Sequence, residues 1–234
     1  MSGALPRLAR LLKRVARDER ANSLVEFTLA APIALYFGAF AIEAARRGMV
    51  QMKLSQIALN LADNVSRTGL TSNLGVTQFR ESDVVEAFNA ARLQGEGIEL
   101  TRRGRIILSS LQRDASGNYI AWQRCVGLKT ATSSYGTAGT GSTQRAVVAT
   151  GIGPADQKVQ PSDVDSAVMF VELVYDLPRQ FLDTRFFGDS TIRYTAAFMV
   201  RDRRAVTGTG IGTGNNGIYS VTGVTPMTCN LYTA

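Results

Sequence analysis

The stretch ANSLVEFTLAAP, Ala21 to Pro32, with the apolar run that continues from it to Ile42, decides how this chain is read. Between Leu24 and Ile42 only Glu26 is ionisable. As an α-helix rising 1.5 Å per residue this run is about 28 Å long, close to the ~30 Å hydrocarbon core of a bilayer. Before it stand Arg7, Arg10, Lys13, Arg14, Arg17 and Arg20, opposed only by Asp18 and Glu19. Such a basic flank stays on the cytoplasmic side of a membrane. The pattern predicts a basic cytoplasmic leader over residues 1–21, a transmembrane helix over 22–45 and a periplasmic domain over 46–234.

A carboxylate within a span costs about 2.5–3.5 kcal/mol at the bilayer centre and less near an interface. Glu26 is therefore either shallow enough to reach the headgroups or present for a purpose. A small residue, four more residues, then Glu-Phe and an apolar helix, all behind a basic leader, resembles the processing site of the type IV pilin superfamily. Glu26-Phe27-x-Leu29-x-x-Pro32, followed by Glu43-Ala44-Ala45-Arg46 and a long helical continuation, resembles more narrowly the TadE-like family of the tight-adherence (Flp-type IVb) pilus. The match covers roughly residues 15–65.

The resemblance implies a minor pilin or pseudopilin of the bacterial inner membrane. A prepilin peptidase would cut between Ala21 and Asn22. Glu26, the fifth mature residue, would then pair with the freed amine of a neighbouring subunit and set subunit registry. The implied partners are that peptidase, other pilins or pseudopilins, the assembly platform and inner-membrane lipid. Two residues depart from the family pattern: Ala21 stands where Gly is usual, and the new N-terminus would be Asn22.

Two other readings of the leader and span remain open. A secretory signal would use the small-x-small site Ala39-Phe40-Ala41, but the apolar segment exceeds a 7–15-residue signal core and contains Glu26 and Pro32. A signal-anchored periplasmic binding or envelope domain would keep the span and have no use for Glu26.

Within the span, Ala30, Ala34 and Gly38 recur every four residues, with Ala41 and Ala45 continuing the row. Small residues let membrane helices approach closely, although alanine is also simply a good helix former. Pro32 removes the hydrogen bond to the Thr28 carbonyl, and the Thr28 hydroxyl is expected to help there. Beyond the span, Glu43 with Arg46 and Arg47 reads as a helix-surface ion pair. Val50, Leu54, Ile57, Leu61 and Val65 form one apolar face opposite Gln51, Lys53, Gln56, Asn60, Asp63 and Arg67. Residues 22–67 are thus expected to make one helix, stopped at Gly69.

A second helix is predicted from Asp83 to Leu93, capped by Ser82 and ended by Gly95. Strands are predicted over Ile98–Thr101, Arg105–Leu111, Tyr119–Val126, Arg145–Thr150, Ala167–Tyr175 and Thr191–Arg201. Gly/Ser/Thr-rich loops fall at residues 130–143 and 207–217. Helices first and strands later give α+β, with an antiparallel sheet packed on the back half of the long helix.

The chemistry is bounded by what the sequence lacks. The chain has no histidine, which removes Ser-His-Asp, Cys-His and His-ligated zinc arrangements. The pairs Asp163/Asp165 and Glu172/Asp176 read as solvated surface rather than a catalytic dyad. Gly212-Thr213-Gly214-Asn215-Asn216-Gly217 matches GxGxxG but precedes a strand-like run, so it reads as a hairpin or loop. We expect no enzyme, cofactor or metal. More than half of the formal +7 lies in the leader, and no basic cluster elsewhere is interleaved with aromatics, so no nucleic-acid partner is expected. Cys125 and Cys229, both in the segment placed outside the cytoplasm, suit a disulfide; two separate thiols are the alternative.

Overall fold

The structure is a computed structural model of the 234-residue chain and describes residues 19–71, 77–164, 166–178, 190–200 and 217–234. The leader before Glu19 and nearly all of the 207–217 loop lie outside the described residues. The chain divides into two compact units at Arg47/Gly48.

The first unit holds the N-terminal part of α1, a helix of 49 residues from Glu19 to Arg67 that continues into the second unit. Alanine and leucine favour this conformation, and Pro32 is tolerated inside it. Thr28 behaves differently from the expectation. Its hydroxyl donates to the Leu24 carbonyl at 2.7 Å, so it is engaged one turn upstream and not at the group that Pro32 releases. Such back-bonding is the usual recourse of a hydroxyl in a helix.

The second unit is α+β. Its sheet is wholly antiparallel, ordered β4-β3-β5-β6, with β3 at Gly104–Asp114, β4 at Gly117–Val126, β5 at Ala167–Asp176 and β6 at Thr191–Met199. A two-residue pair, β1 (Leu70–Thr71) and β2 (Thr77–Gln78), precedes helix α2 (Glu81–Gln94) and the one-turn α3 (Leu100–Arg103).

One sheet face packs on helices. Val50, Leu54, Ile57, Ala58, Leu61, Ala62 and Val65 of α1 form one core with Val84, Phe88 and Ala91 of α2 and with strand residues such as Leu108, Trp122, Val171 and Leu173. Each large side chain buried this way contributes roughly 1.5–3 kcal/mol. The amphipathic back half of α1 is therefore held by tertiary packing. The other face carries a smaller core of Leu111, Ile120, Val148, Ile152, Val168 and Phe170, with Tyr135 and Val159 of the β4–β5 connection packed against it.

Three local expectations fail. Residues 98–101 are helical: a 3-10 turn, Glu96–Ile98, leads through a left-handed Glu99 (φ 52°) into α3. Glu99 accepts hydrogen bonds from Arg102 and Arg103, so local ion pairing accompanies the turn. Residues 145–148 form a 3-10 turn instead of a strand. Helix α2 begins two residues early because Arg80 takes the cap position, where its N–H donates to Asp83 at 2.9 Å; Ser82 is not the cap.

Candidate functional site

Among the described residues, one helix is long and apolar enough to cross a membrane, and it lies within Ser23–Arg67. Its most apolar window has a mean hydropathy of 1.7, with none of it buried. That separates it from the core helix of a soluble protein. Leu24, Val25, Phe27, Leu29, Ile33, Leu35, Tyr36, Phe37 and Ile42 are all exposed. Keeping nine such side chains in water costs on the order of 10–20 kcal/mol. A lipid or protein environment removes that cost.

Glu26 is exposed on this helix, among apolar residues on every side in sequence. Ala30, Ala34, Gly38, Ala41 and Ala45 are exposed as well, and a Cβ built on Gly38 meets nothing within 4 Å. The small-residue row is accessible to another helix, while nothing in the described chain occupies it. Ala21 and Asn22 fall in the first turns of the described helix. Glu43 departs from the surface pair expected of it. It is 2% exposed, Arg46 approaches only to 3.8 Å, and both carboxylate oxygens lack a hydrogen bond. The expected i,i+3 pair with Arg46 is therefore present, but Glu43 is buried rather than on the helix surface.

In the second unit, Cys125 and Cys229 form the disulfide, with Cα atoms 4.8 Å apart. The tail around Cys229 is also fixed by a residue that no sequence pattern singles out. Arg105, on β3, is fully buried. Its guanidinium donates to the carbonyls of Gly127 (2.7 Å), Cys229 (2.7 Å) and Leu231 (2.9 Å), and lies 4.1 Å from the centre of the Tyr232 ring. Burial pulls its pKa below the usual arginine value. No periodicity signals this group, because it reads as one more arginine beside the Arg-Arg-Gly turn.

The carboxylates expected at the surface divide. Asp163 is exposed, and Asp165 lies outside the described residues. Glu172, by contrast, is 1% exposed. It accepts from Arg193 Nη1 (3.0 Å) and from the Ser134 N–H (3.1 Å), so it anchors the 130–143 loop to the sheet. Asp176 pairs with Lys129 and accepts from the Thr191 hydroxyl at 2.5 Å. Burial alone would raise the Asp176 pKa, but the hydrogen bonds from Lys129 and Thr191 outweigh it and leave the value below the usual carboxylate range. Four positions apart on one strand, Glu172 and Asp176 stand about 13 Å apart along the backbone. Glycoside hydrolysis uses carboxyl separations of roughly 5–9.5 Å. Their geometry serves loop docking. Glu81 and Arg124 form a further buried pair, tying α2 to β4.

No protein-family model, curated protein or solved structure matches the chain. The fold and the exposed helix define its class: an α+β domain that follows one candidate membrane span among the described residues.

Proposed function

We infer that the chain is a structural or assembly component, a minor pilin or pseudopilin, of a bacterial tight-adherence (Flp-type IVb) pilus. The observation that supports this reading is the largely exposed apolar run from Ser23 to Ile42, in which Glu26 is the one residue charged at neutral pH. A carboxylate near the start of such a helix has a use where a neighbouring chain brings a positive group into the same layer. A prepilin peptidase cut between Ala21 and Asn22 creates that group, an α-amine four residues upstream of Glu26. Pairing of the two neutralises both charges inside the bilayer and registers one subunit against the next. The accessible Ala30/Ala34/Gly38 row supplies a face for close helix packing. In this reading the α+β domain is periplasmic, where its disulfide persists, and it carries no catalytic role.

One observation favours the alternative, a signal-anchored envelope domain that is never cut. The Ala21–Asn22 bond lies in helical backbone, whereas proteases bind extended chain, so cleavage requires local unwinding. Intact mass and N-terminal sequencing of the full chain, produced with and without a prepilin peptidase, decide between the two. A product starting at Asn22 only with the peptidase supports the pilin. A product starting at Met1 or Ser2 in both cases refutes it in favour of the anchor, and a start near residue 40 refutes both.

A further inference from the structure

The two edges of the four-stranded sheet are treated differently. Along β4 the outward backbone groups are used. Ile120 bonds in both directions with the 139–140 turn, Cys125 N–H donates to Met227 (2.7 Å), and Gly127 N–H donates to Thr233 (2.7 Å). The disulfide and Arg105 then hold that covering tail in place. Along β6 the outward backbone groups have no backbone partner among the described residues. Val200 N–H bonds to Ala167, and Leu177 N–H to Ser190, which fixes the alternation of this antiparallel pair. Even-numbered residues of β6 face β5. The N–H and C=O groups of Thr191, Arg193, Thr195, Ala197 and Met199 therefore point away from the sheet. Among the described residues no backbone group pairs with them. Natural edge strands are usually blunted by proline, lysine, a bulge or a cover. This one runs nine residues with a single charge, Arg193, and no proline or lysine.

Depressions flank β6 on both faces at the same residues. On the helix side, a groove of about 340 Å³ is lined by Met52, Ile192 and Tyr194, with Gln51, Ser55 and Arg193 at its polar parts, and Met52 is 60% exposed. On the opposite side, a cavity of about 660 Å³ is lined by Lys129, Thr130, Thr132, Thr191 and Arg193. Arg193 spends only Nη1, on Glu172 and Ser134, and its Nε and Nη2 hold no partner among the described residues. Glu172 and Asp176 are already engaged, so the cavity offers donors rather than acceptors.

A strand presents successive side chains to opposite faces. One added along β6 would place one set against Met52, Ile192 and Tyr194 and the other beside Arg193 and Lys129. We propose that the β6 edge is a β-augmentation site for an extended segment of a different polypeptide that alternates apolar and acidic residues. A second copy pairing through its own β6 does not fit as the occupant, because that strand brings Arg193 and no acidic residue to the edge. The site does not depend on the pilin reading.

The test uses the full chain in detergent micelles and fluorescent peptides of about ten residues. One peptide alternates Val and Glu, a second has the same composition in two blocks, and a third alternates Val and Lys. The alternating Val/Glu peptide is expected to bind at least about tenfold more tightly than either control, a difference of ~1.4 kcal/mol. Thr195→Pro removes an outward N–H that the β5 ladder does not use, so it should preserve the fold and cost about tenfold in binding. Equal binding of the block peptide would reduce the effect to attraction by a cationic chain and overturn the proposal. Undiminished binding by a folded proline variant would do the same. If that variant does not fold, amide exchange of the unmodified protein takes its place. The Arg193 and Thr195 amides should slow by about tenfold or more at saturating peptide, and unchanged rates refute the site.

Discussion

Arg105 and the disulfide hold the same tail, which makes their energies interdependent in a measurable way. Arg105→Met keeps most of the side-chain volume but removes three charge-assisted hydrogen bonds and the contact with Tyr232. Each such bond is worth about 1.5–3 kcal/mol, yet the buried cation itself costs several kcal/mol to desolvate. The carbonyls of Cys229 and Leu231 recover water when the tail lifts, while that of Gly127 does so less readily. The net loss should be about 2–4 kcal/mol. Replacing both cysteines by serine opens a link spanning 104 residues, worth at most about 4.7 kcal/mol on the chain-entropy estimate. Without the disulfide the tail lifts more readily, and part of what Arg105 contributes is already gone. The combined variant should therefore be destabilised by at least about 1 kcal/mol less than the sum of the separate losses. Denaturant unfolding of the full chain, followed through Trp122, measures all three. This is the only tryptophan, it is buried, and it stacks on Phe79 at 5.7 Å, so its emission reports the domain core. Additive losses, or a cost below about 0.5 kcal/mol for Arg105→Met, would refute the clasp.

Three shorter predictions follow from other contacts. Gly127 has φ 118°, and a Cβ there would sit 2.3 Å from the Gly104 carbonyl oxygen, so Gly127→Ala should destabilise the domain by about 2–3 kcal/mol in the same unfolding assay. Asp176 has a folded-state pKa below its ordinary 3.8, so its stabilising effect is complete above that value and is lost as pH falls through the depressed one. Asp176→Asn should accordingly flatten the decline in melting temperature below about pH 4, and an unchanged acid profile would count against the Lys129–Asp176 pair. Glu26→Gln should leave membrane insertion intact, as judged by carbonate extraction, while abolishing pilus output; intact pili would end the registry role.

The parts of the fold governed by repeated spacing were legible in the sequence. A 4-3-4-4 apolar step identified the buried face of α1 from Val50 to Val65. The β-branched and aromatic runs expected as strands at Ala167–Tyr175 and Thr191–Arg201 match β5 and the edge strand β6 to within two residues. Errors cluster where short segments answer to local polar contacts. The 96–103 turn depends on one left-handed residue and two arginines reaching back to it, which hydrophobic patterning does not register. The 145–148 segment has a strand-like composition, but its place is on the outer core, where Val148 packs beside Ile152 as a turn.

The polar residues of the domain were the hardest to read, for a physical reason. Whether a charge is solvated or buried depends on what arrives from elsewhere in the chain. Glu172 looks like the polar member of a half-exposed strand until the 130–143 loop brings Ser134 and β6 brings Arg193. Arg105 looks like turn decoration until residues 227–233 close over it. In both cases a distant segment outside the regular helices and strands is fastened by a buried ion that it meets through backbone groups. Composition marks such segments as loops and cannot reveal the anchor. Among the described residues the same device covers one edge of the sheet and not the other, because the tail is anchored at β4 while β6 receives no equivalent. Edge protection here is a property of the tail and its two fastenings, and the residues of the open strand must be read for what could pair with them.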